Sequence, residues 1–426
     1  MAVQYSFQPR QSTGEVKFQA LVERSNEQEE RRPHRSLPAE WAPQSGVQLT
    51  WPHADTDWAY MLDEVTETYV RMAYEIALRE PLLIVTPHPT EVEALLAKRL
   101  PAAAKANIRF FECATNDTWA RDHGFITVFD TAGPELLDFR FNGWGGKFEA
   151  ALDNAINACL IAPTAQSSAA AKLSATANLS AAQLSCASTL GAEEAAESLL
   201  HGHYVDCLDF ELEGGAIESD GCGTILTTAE CLLNENRRHA GDAVPTVDKA
   251  QVEAVLRERL GAERILWLDH GYLAGDDTDS HIDTLARLCP NDTIVYVRCD
   301  DPADEHYEAL CAMEEQLRSF RTADGEPYTL IPVPLPRPCF GEVEDEDGTT
   351  YEERLPATYA NFLIMNDAVL MPTYNQPDLD AQATEMLQRA FPNHEIVGID
   401  CRSLIRQHGS LHCCTMQFPR GVMPEK

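Results

Sequence analysis

Residues 82–100 read LLIVTPHPTEVEALLAKRL: an apolar run of strand length, a proline-marked turn, then apolar residues at Val92, Leu95, Leu96 and Leu100 in helical spacing. An apolar strand followed by an amphipathic helix is the unit of a parallel sheet covered by helices. Working outward, IRFFECAT (108–115), GFITVFD (124–130), ILWL (265–268), TIVYVR (293–298) and AVLMP (368–372) read as further short strands. DKAQVEAVLRERL (248–260) and AQATEMLQRAF (381–391) read as helices. The fold class is α/β, and 426 residues suit either two domains or one large closed architecture.

Composition narrows the function classes. The 33 basic and 68 acidic residues give a formal charge of −35, which repels nucleic acid and anionic membrane surfaces and attracts a cationic ligand. No stretch approaches the roughly 20 apolar residues of a membrane helix, and the N-terminal residues lack an apolar signal region, so a cytoplasmic location is expected. Thirteen scattered cysteines without a CxxC pair argue against a disulfide framework and a structural zinc site; reduced thiols are expected.

Residues 1–36 are polar without apolar period and read as a mobile tail, with a single folded α/β domain from 37 to 426. The Ala/Ser-rich stretch at about 163–197 reads as a surface insertion. EVEDEDGTTYEE (342–353) reads as a solvated acidic loop that fails the EF-hand spacing.

Four segments concentrate polar residues and glycine beside strands, where a purely structural segment would be apolar: TNDTWARDHG (115–124), FELEGGAIESDG (210–221), GDDTDSHIDTLARL (275–288) and GSLHCCT (409–415). Each has a bland reading. Asp122 beside Arg121 could be a surface ion pair, His281 a satisfied histidine, and the DDTDSHID run a solvated loop. Trp119 and Asp117 could be ordinary core and cap residues, and Cys113, Cys207, Cys222 and Cys231 are read as buried. The pair Cys413–Cys414 admits a metal clip, a redox pair, one nucleophile with a bystander, or core filler.

Taken in order, WARDHG, LEGGA followed by TILTTAECLLNENR, DDTDSHID and LHCCT resemble the agmatine deiminase family, which includes bacterial peptidyl-arginine deiminases. LPAEW (37–41), FNGWGG (141–146) and LPATYANFLI (355–364) fit the same resemblance. It implies a five-bladed α/β propeller (pentein fold) with a central catalytic channel, no cofactor and no metal, and a homodimer. It implies hydrolysis of agmatine to N-carbamoylputrescine and ammonia, a step toward putrescine, with a small guanidino cation as the partner. By position Asp122 and Asp283 clamp the guanidinium, Glu213 holds His281 protonated and oriented, and Cys413 is the nucleophile. Asp117 and Trp119 fall where they could touch substrate, Trp119 covering its alkyl chain. SHID stands where relatives often have GHVD, and LEGGA replaces LEGGS. That keeps a peptidyl-arginine or free-arginine deiminase open as the alternative, besides a non-catalytic binding member of the fold.

The chemistry is sensible apart from the name. A guanidinium is planar, permanently charged and matched bidentately by carboxylates. If 281–283 and 412–414 are extended, alternation turns His281 and Asp283 to one face, and sends His412 and Cys414 away from the face that Cys413 uses. Gly214 and Gly215 would allow close backbone approach.

Overall fold

The computed structural model describes residues 35–161, 199–237, 248–344 and 350–424. The expected tail, apart from Arg35 and Ser36, and the insertion at 163–197 lie outside the described residues. Ser36 already bridges to Phe129, so the described fold starts a little before Leu37.

One unit, an antiparallel hairpin followed by a crossover to a parallel strand, recurs along the chain. The first sheet holds β1 (Gln44–Thr50), β2 (Leu82–Thr86) and β3 (Ile108–Glu112), with α1 (Leu62–Arg79) and α2 (Pro89–Arg99) as crossovers. A short α3 (Ala120–His123) leads into the second sheet, β4 (Ile126–Asp130), β5 (Gly133–Arg140) and β6 (His203–Glu211). The third is β7 (Ile217–Ser219), β8 (Thr224–Thr228) and β9 (Arg264–Leu268), crossed by α4 (Lys249–Leu260). Another short helix, α5 (Ile282–Leu285), opens the fourth: β10 (Ala286–Cys289), β11 (Thr293–Arg298) and β12 (Thr329–Pro334), crossed by α6 (Tyr307–Ser319). A two-stranded ribbon, β13 (Cys339–Glu344) and β14 (Thr350–Leu355), precedes the fifth. That fifth sheet comprises β15 (Leu363–Ile364), β16 (Ala368–Thr373) and β17 (Glu395–Asp400), crossed by α7 (Pro377–Ala390). The last strand, β18 (Thr415–Pro419), returns to pair antiparallel with β1, so the C-terminus completes the first sheet.

Sequence explains the units. All five residues of β2 are buried, as expected for a strand covered on both faces. Proline begins α2 and α7, where its missing N–H costs no hydrogen bond. Asp248 caps α4 at its start, and Gly261 ends it at φ 71°, in the left-handed region. Acidic residues in the first turn of α1 and Arg79 in its last complement the helix dipole. Of the expected acidic loop at 342–353, residues 342–344 and 350–353 belong to the paired strands β13 and β14, while 345–349 lie outside the described residues; a strand rich in charge leaves no apolar face to signal it in the sequence.

Eleven cysteines are free thiols among the described residues, whereas Cys159 is disulfide-bonded, a departure from the expectation of reduced thiols throughout. No described helix is long and apolar enough to cross a membrane.

Candidate active site

The residues singled out from sequence sit at equivalent places. In each sheet the strand that leads the antiparallel pair directly follows a short polar turn or single-turn helix, and these carry Asp122 before β4, Glu213 before β7, and His281 with Asp283 before β10. Asn361 lies before β15 and Cys413 before β18. The repeat thus delivers one functional segment per sheet to one locus.

Asp122 lies on α3 and is buried. Its Oδ2 accepts the indole N–H of Trp144 at 3.0 Å and its Oδ1 the backbone N–H of Gly215 at 3.0 Å. Trp144 is aimed by the glycine-rich turn of FNGWGG, itself at φ 54°, a conformation rare for a tryptophan. Burial is the main cause that pushes the Asp122 carboxyl up to about 6, with Asp283 and Glu213 adding to it and His281 opposing. Arg121 points elsewhere, to Glu40 at 3.0 Å, so the surface ion pair with Asp122 does not form.

His281 is fully buried, its Nδ1 3.7 Å from Oδ1 of Asp122. Burial alone would lower its pKa, but Asp122, then Cys231 and Glu213, hold it well above the usual histidine value, which favours the imidazolium. Glu213 does not hydrogen-bond the ring: its Oε1 accepts from Nε of Arg237 at 2.8 Å, while its Oε2 has no hydrogen-bond partner among the described residues. Glu213 therefore supports the imidazolium by charge, not by gripping it. His281 and Asp283 are not on an extended strand. His281 caps α5 and Asp283 occupies its first turn, so helical geometry brings them together.

Cys413 also departs from the extended reading, because residues 411–414 form a turn and β18 starts only at Thr415. The Cys413 Sγ lies 3.8 Å from Oδ2 of Asp283 and 3.3 Å from Nδ2 of Asn361. His412 does not turn away from the site: its Nδ1–H donates to that same Asp283 oxygen at 2.8 Å. Its Nε2 lies 2.9 Å from Glu40, which also receives Arg287 at 2.5 Å. Burial would raise the Asp283 carboxyl, but the bond from His412 and the charges of His281 and Arg287 hold it below the usual carboxylate value. Burial, then the charges of Asp283 and Asp122, push the Cys413 thiol well above the ordinary value. Cys414 is fully buried in the main core cluster.

Gly215 marks where these groups meet. A Cβ there would lie 2.7 Å from Nδ1 of His281, 2.9 Å from Oδ1 of Asp122 and 3.2 Å from Oδ2 of Asp283. Only a residue without a side chain leaves that locus usable.

A cavity opens from Cys413 to the surface, lined by Asp57, Asp117, Trp119, Asp122, Trp144, Phe148, Asp277, Thr278, Gln407, His408 and Gly409. Asp117 and Trp119 both belong to this wall, and the indole N–H of Trp119 donates to Asp117 at 2.8 Å. Burial pushes the Asp117 carboxyl up to about 7. The DDTDSHID run is no free acidic loop: Asp276 accepts from Thr278 and Ser280, and Asp279 pairs with Lys147 at 2.9 Å and with Arg237. Asp277 faces the cavity instead.

Asn361, His412, Glu40 and Arg237 carry no role in the sequence reading. LPAEW, TYANF and NENR stand out only as matches to the family; the turns before β15 and β18 point to Asn361 and His412, whereas Arg237 and Glu40 emerge only from their contacts with Glu213 and His412.

The sequence model of Porphyromonas-type peptidyl-arginine deiminases matches residues 36–419. An agmatine deiminase of Pseudomonas fluorescens strain SBW25 is 33% identical over 393 residues, which cover 90% of this chain and 95% of that one. A crystal structure of the putative arginine deiminase from Porphyromonas gingivalis is 46% identical and superposes with a TM-score of 0.74, covering 92% of this chain and 100% of that one. An agmatine deiminase of C. jejuni, solved as a cysteine-to-serine variant with substrate bound, is 34% identical, with a TM-score of 0.71, covering 91% of this chain and 96% of that one.

Proposed function

The chain belongs to the Porphyromonas-type peptidyl-arginine deiminase family, and from that premise we propose that it hydrolyses agmatine to N-carbamoylputrescine and ammonia through a covalent intermediate on Cys413. The carrying observation is the convergence at Gly215 of two carboxylates and an imidazole, beside a thiol 3.8 Å from one of the carboxylates.

Asp122 and Asp283 bind the guanidinium and neutralise themselves in doing so. That removes the two charges that hold the Cys413 proton in place, so the thiol ionises to solvent as substrate arrives. The thiolate adds to the guanidinium carbon, forming the C–S bond. His281 gives its proton to one amino group, which leaves as ammonia, and an S-alkylated thiouronium remains. Neutral His281 then takes a proton from the attacking water. Collapse of that adduct breaks the C–S bond, passes the remaining hydroxyl proton to solvent, and releases the ureido product and the thiolate.

The cavity bears on the tail. Among the described residues its wall contains Asp57, Asp117, Asp122 and Asp277 and no lysine or arginine, which suits a substrate cationic at both ends and without a carboxylate. We read the five sheets as the five blades of a propeller, with the hairpin-leading turns at its axis. The ureidoamine product is a precursor of putrescine, which supports a role in polyamine synthesis.

A second reading is a free- or peptidyl-arginine deiminase, favoured by the family description and by the similarity to the P. gingivalis protein. Such an enzyme needs a receptor for a carboxylate or a peptide backbone. Lys147, which reaches the Asp277 segment of the wall, is already bonded to the carbonyl of Asp277 at 2.5 Å and to Asp279. Assay of agmatine, arginine and a peptidyl-arginine for ureido product tests the choice. Agmatine is expected to lead arginine by at least about tenfold in kcat/KM, equivalent to about 1.4 kcal/mol; turnover of arginine or the peptide alone contradicts it.

A further inference from the structure

Three residues from separate segments meet: Glu213 before β7, Cys231 after β8 and His281 before β10. A carboxylate oxygen, the thiol sulfur and a ring nitrogen of this trio all lie within 4.8 Å of one another. All three residues are fully buried. Oε2 of Glu213 lacks a hydrogen-bond partner among the described residues, although buried polar atoms are normally satisfied, and the Cys231 thiol lies within hydrogen-bonding reach of the His281 ring. Arg237 fixes the orientation of Glu213 through Oε1 and leaves Oε2 directed away from that bond.

We propose that Glu213, Cys231 and His281 form a site for a thiophilic divalent cation of the Zn2+ type, and that filling it inhibits the enzyme. The donor set, one thiolate, one imidazole and one carboxylate, matches the ligand types of zinc, and three protein donors leave the fourth corner to water. Ligand bonds of about 2.0–2.3 Å require the donors to close by roughly an ångström, within the reach of side-chain rotation. A second trio, His53, Asp55 and His88, is less apt, since Nε2 of His53 already engages Thr115 at 2.9 Å and the other two residues are exposed. The cavity reaches Asp122, whose Oδ1 is 3.7 Å from Nδ1 of His281.

Binding forms Zn–S, Zn–N and Zn–O coordination bonds. Cys231 releases its thiol proton and His281 its ring proton to solvent, and no electrons change hands. A metallated His281 cannot carry the proton that ammonia needs. That inhibitory consequence rests on the proposed function; the binding itself does not.

The binding test uses Cys413→Ser protein, which lacks the competing nucleophilic thiolate, titrated with Co2+. Expected is one equivalent bound, with the near-ultraviolet charge-transfer absorption of a cobalt thiolate, and loss of that absorption in Cys413→Ser/Cys231→Ala and Cys413→Ser/Cys231→Ser. No absorption in the parent, or equal absorption in either folded double variant, overturns the site. The inhibition test compares Zn2+ titrations of native protein, Cys231→Ala and Cys231→Ser, each relative to its own metal-free rate. At least tenfold more Zn2+ is expected to be needed in the variants, and an unchanged requirement overturns the inhibitory role. An enzyme inactive on every guanidine would sink the proposed function while leaving the cobalt result to decide the site.

Discussion

The Sγ of Cys413 lies 3.8 Å from Oδ2 of Asp283, the oxygen that also accepts the Nδ1–H of His412 at 2.8 Å. A thiol beside an ionised carboxylate resists losing its proton, so the resting nucleophile is switched off until a cation arrives. In a Cys414→Ser background, alkylation of Cys413 by iodoacetamide should therefore show a midpoint above the ordinary thiol value of about 8.5. Asp283→Asn should move that midpoint down, because one of the charges that raise it is gone. An unchanged midpoint would show that burial alone sets the thiol.

Gly215→Ala should fold normally and lose activity. Its φ lies outside the left-handed region, so alanine meets no backbone strain, but the new methyl would sit 2.7–3.2 Å from His281, Asp122 and Asp283, on the reacting locus. A fall in kcat/KM of about 100-fold or more is expected for displacement on the ångström scale, with unchanged circular dichroism. Near-native rates would place substrate elsewhere.

Ser280 adopts φ 61° immediately before His281, so the serine of SHID occupies a conformation that favours glycine. Its backbone is held there by Asp276, which accepts its N–H at 2.7 Å, and by Thr228, which donates to its carbonyl. Ser280→Gly should raise stability by about 1 kcal/mol in urea unfolding, since a side chain costs about 1–2 kcal/mol in the left-handed region. A destabilised variant would mean that the serine side chain supplies more than it strains.

Asp138 on β5 is buried, accepting from Asn157 at 2.9 Å and Tyr204 at 2.8 Å. Burial pushes its carboxyl from 3.8 up to about 7. Between those values the folded protein holds a proton that the unfolded chain has lost. The stability it contributes is full below 3.8 and disappears as pH rises toward about 7. Asp138→Asn should flatten that decline, measured as the difference in urea midpoint between the two proteins across the window; parallel profiles would contradict the assignment.

Much of this was legible in the chain. Uniform apolar runs such as 82–86 and 293–298 give strands because a covered strand needs no polar alternation, and WARDHG, LEGG, SHID and LHCC stand out because buried polar residues are costly unless used. The five-fold recurrence of hairpin and crossover was not legible, since it is a repeat of topology without a repeat of residues. The local geometry around Cys413 failed for a related reason: alternation holds only in extended chain, and residues 411–414 turn. Asn361, Glu40 and the Cys231 contact depend on segments far apart in sequence, so no spacing announces them.

Mass spectrometry of enzyme quenched during turnover of agmatine tests the central claim most directly. The account predicts an amidino adduct on the sulfur of Cys413, no turnover by Cys413→Ser, and an active Cys414→Ser that loses stability on the order of 1–3 kcal/mol from burying a hydroxyl. An adduct on Cys414, or near-normal rates in Cys413→Ser, would contradict it.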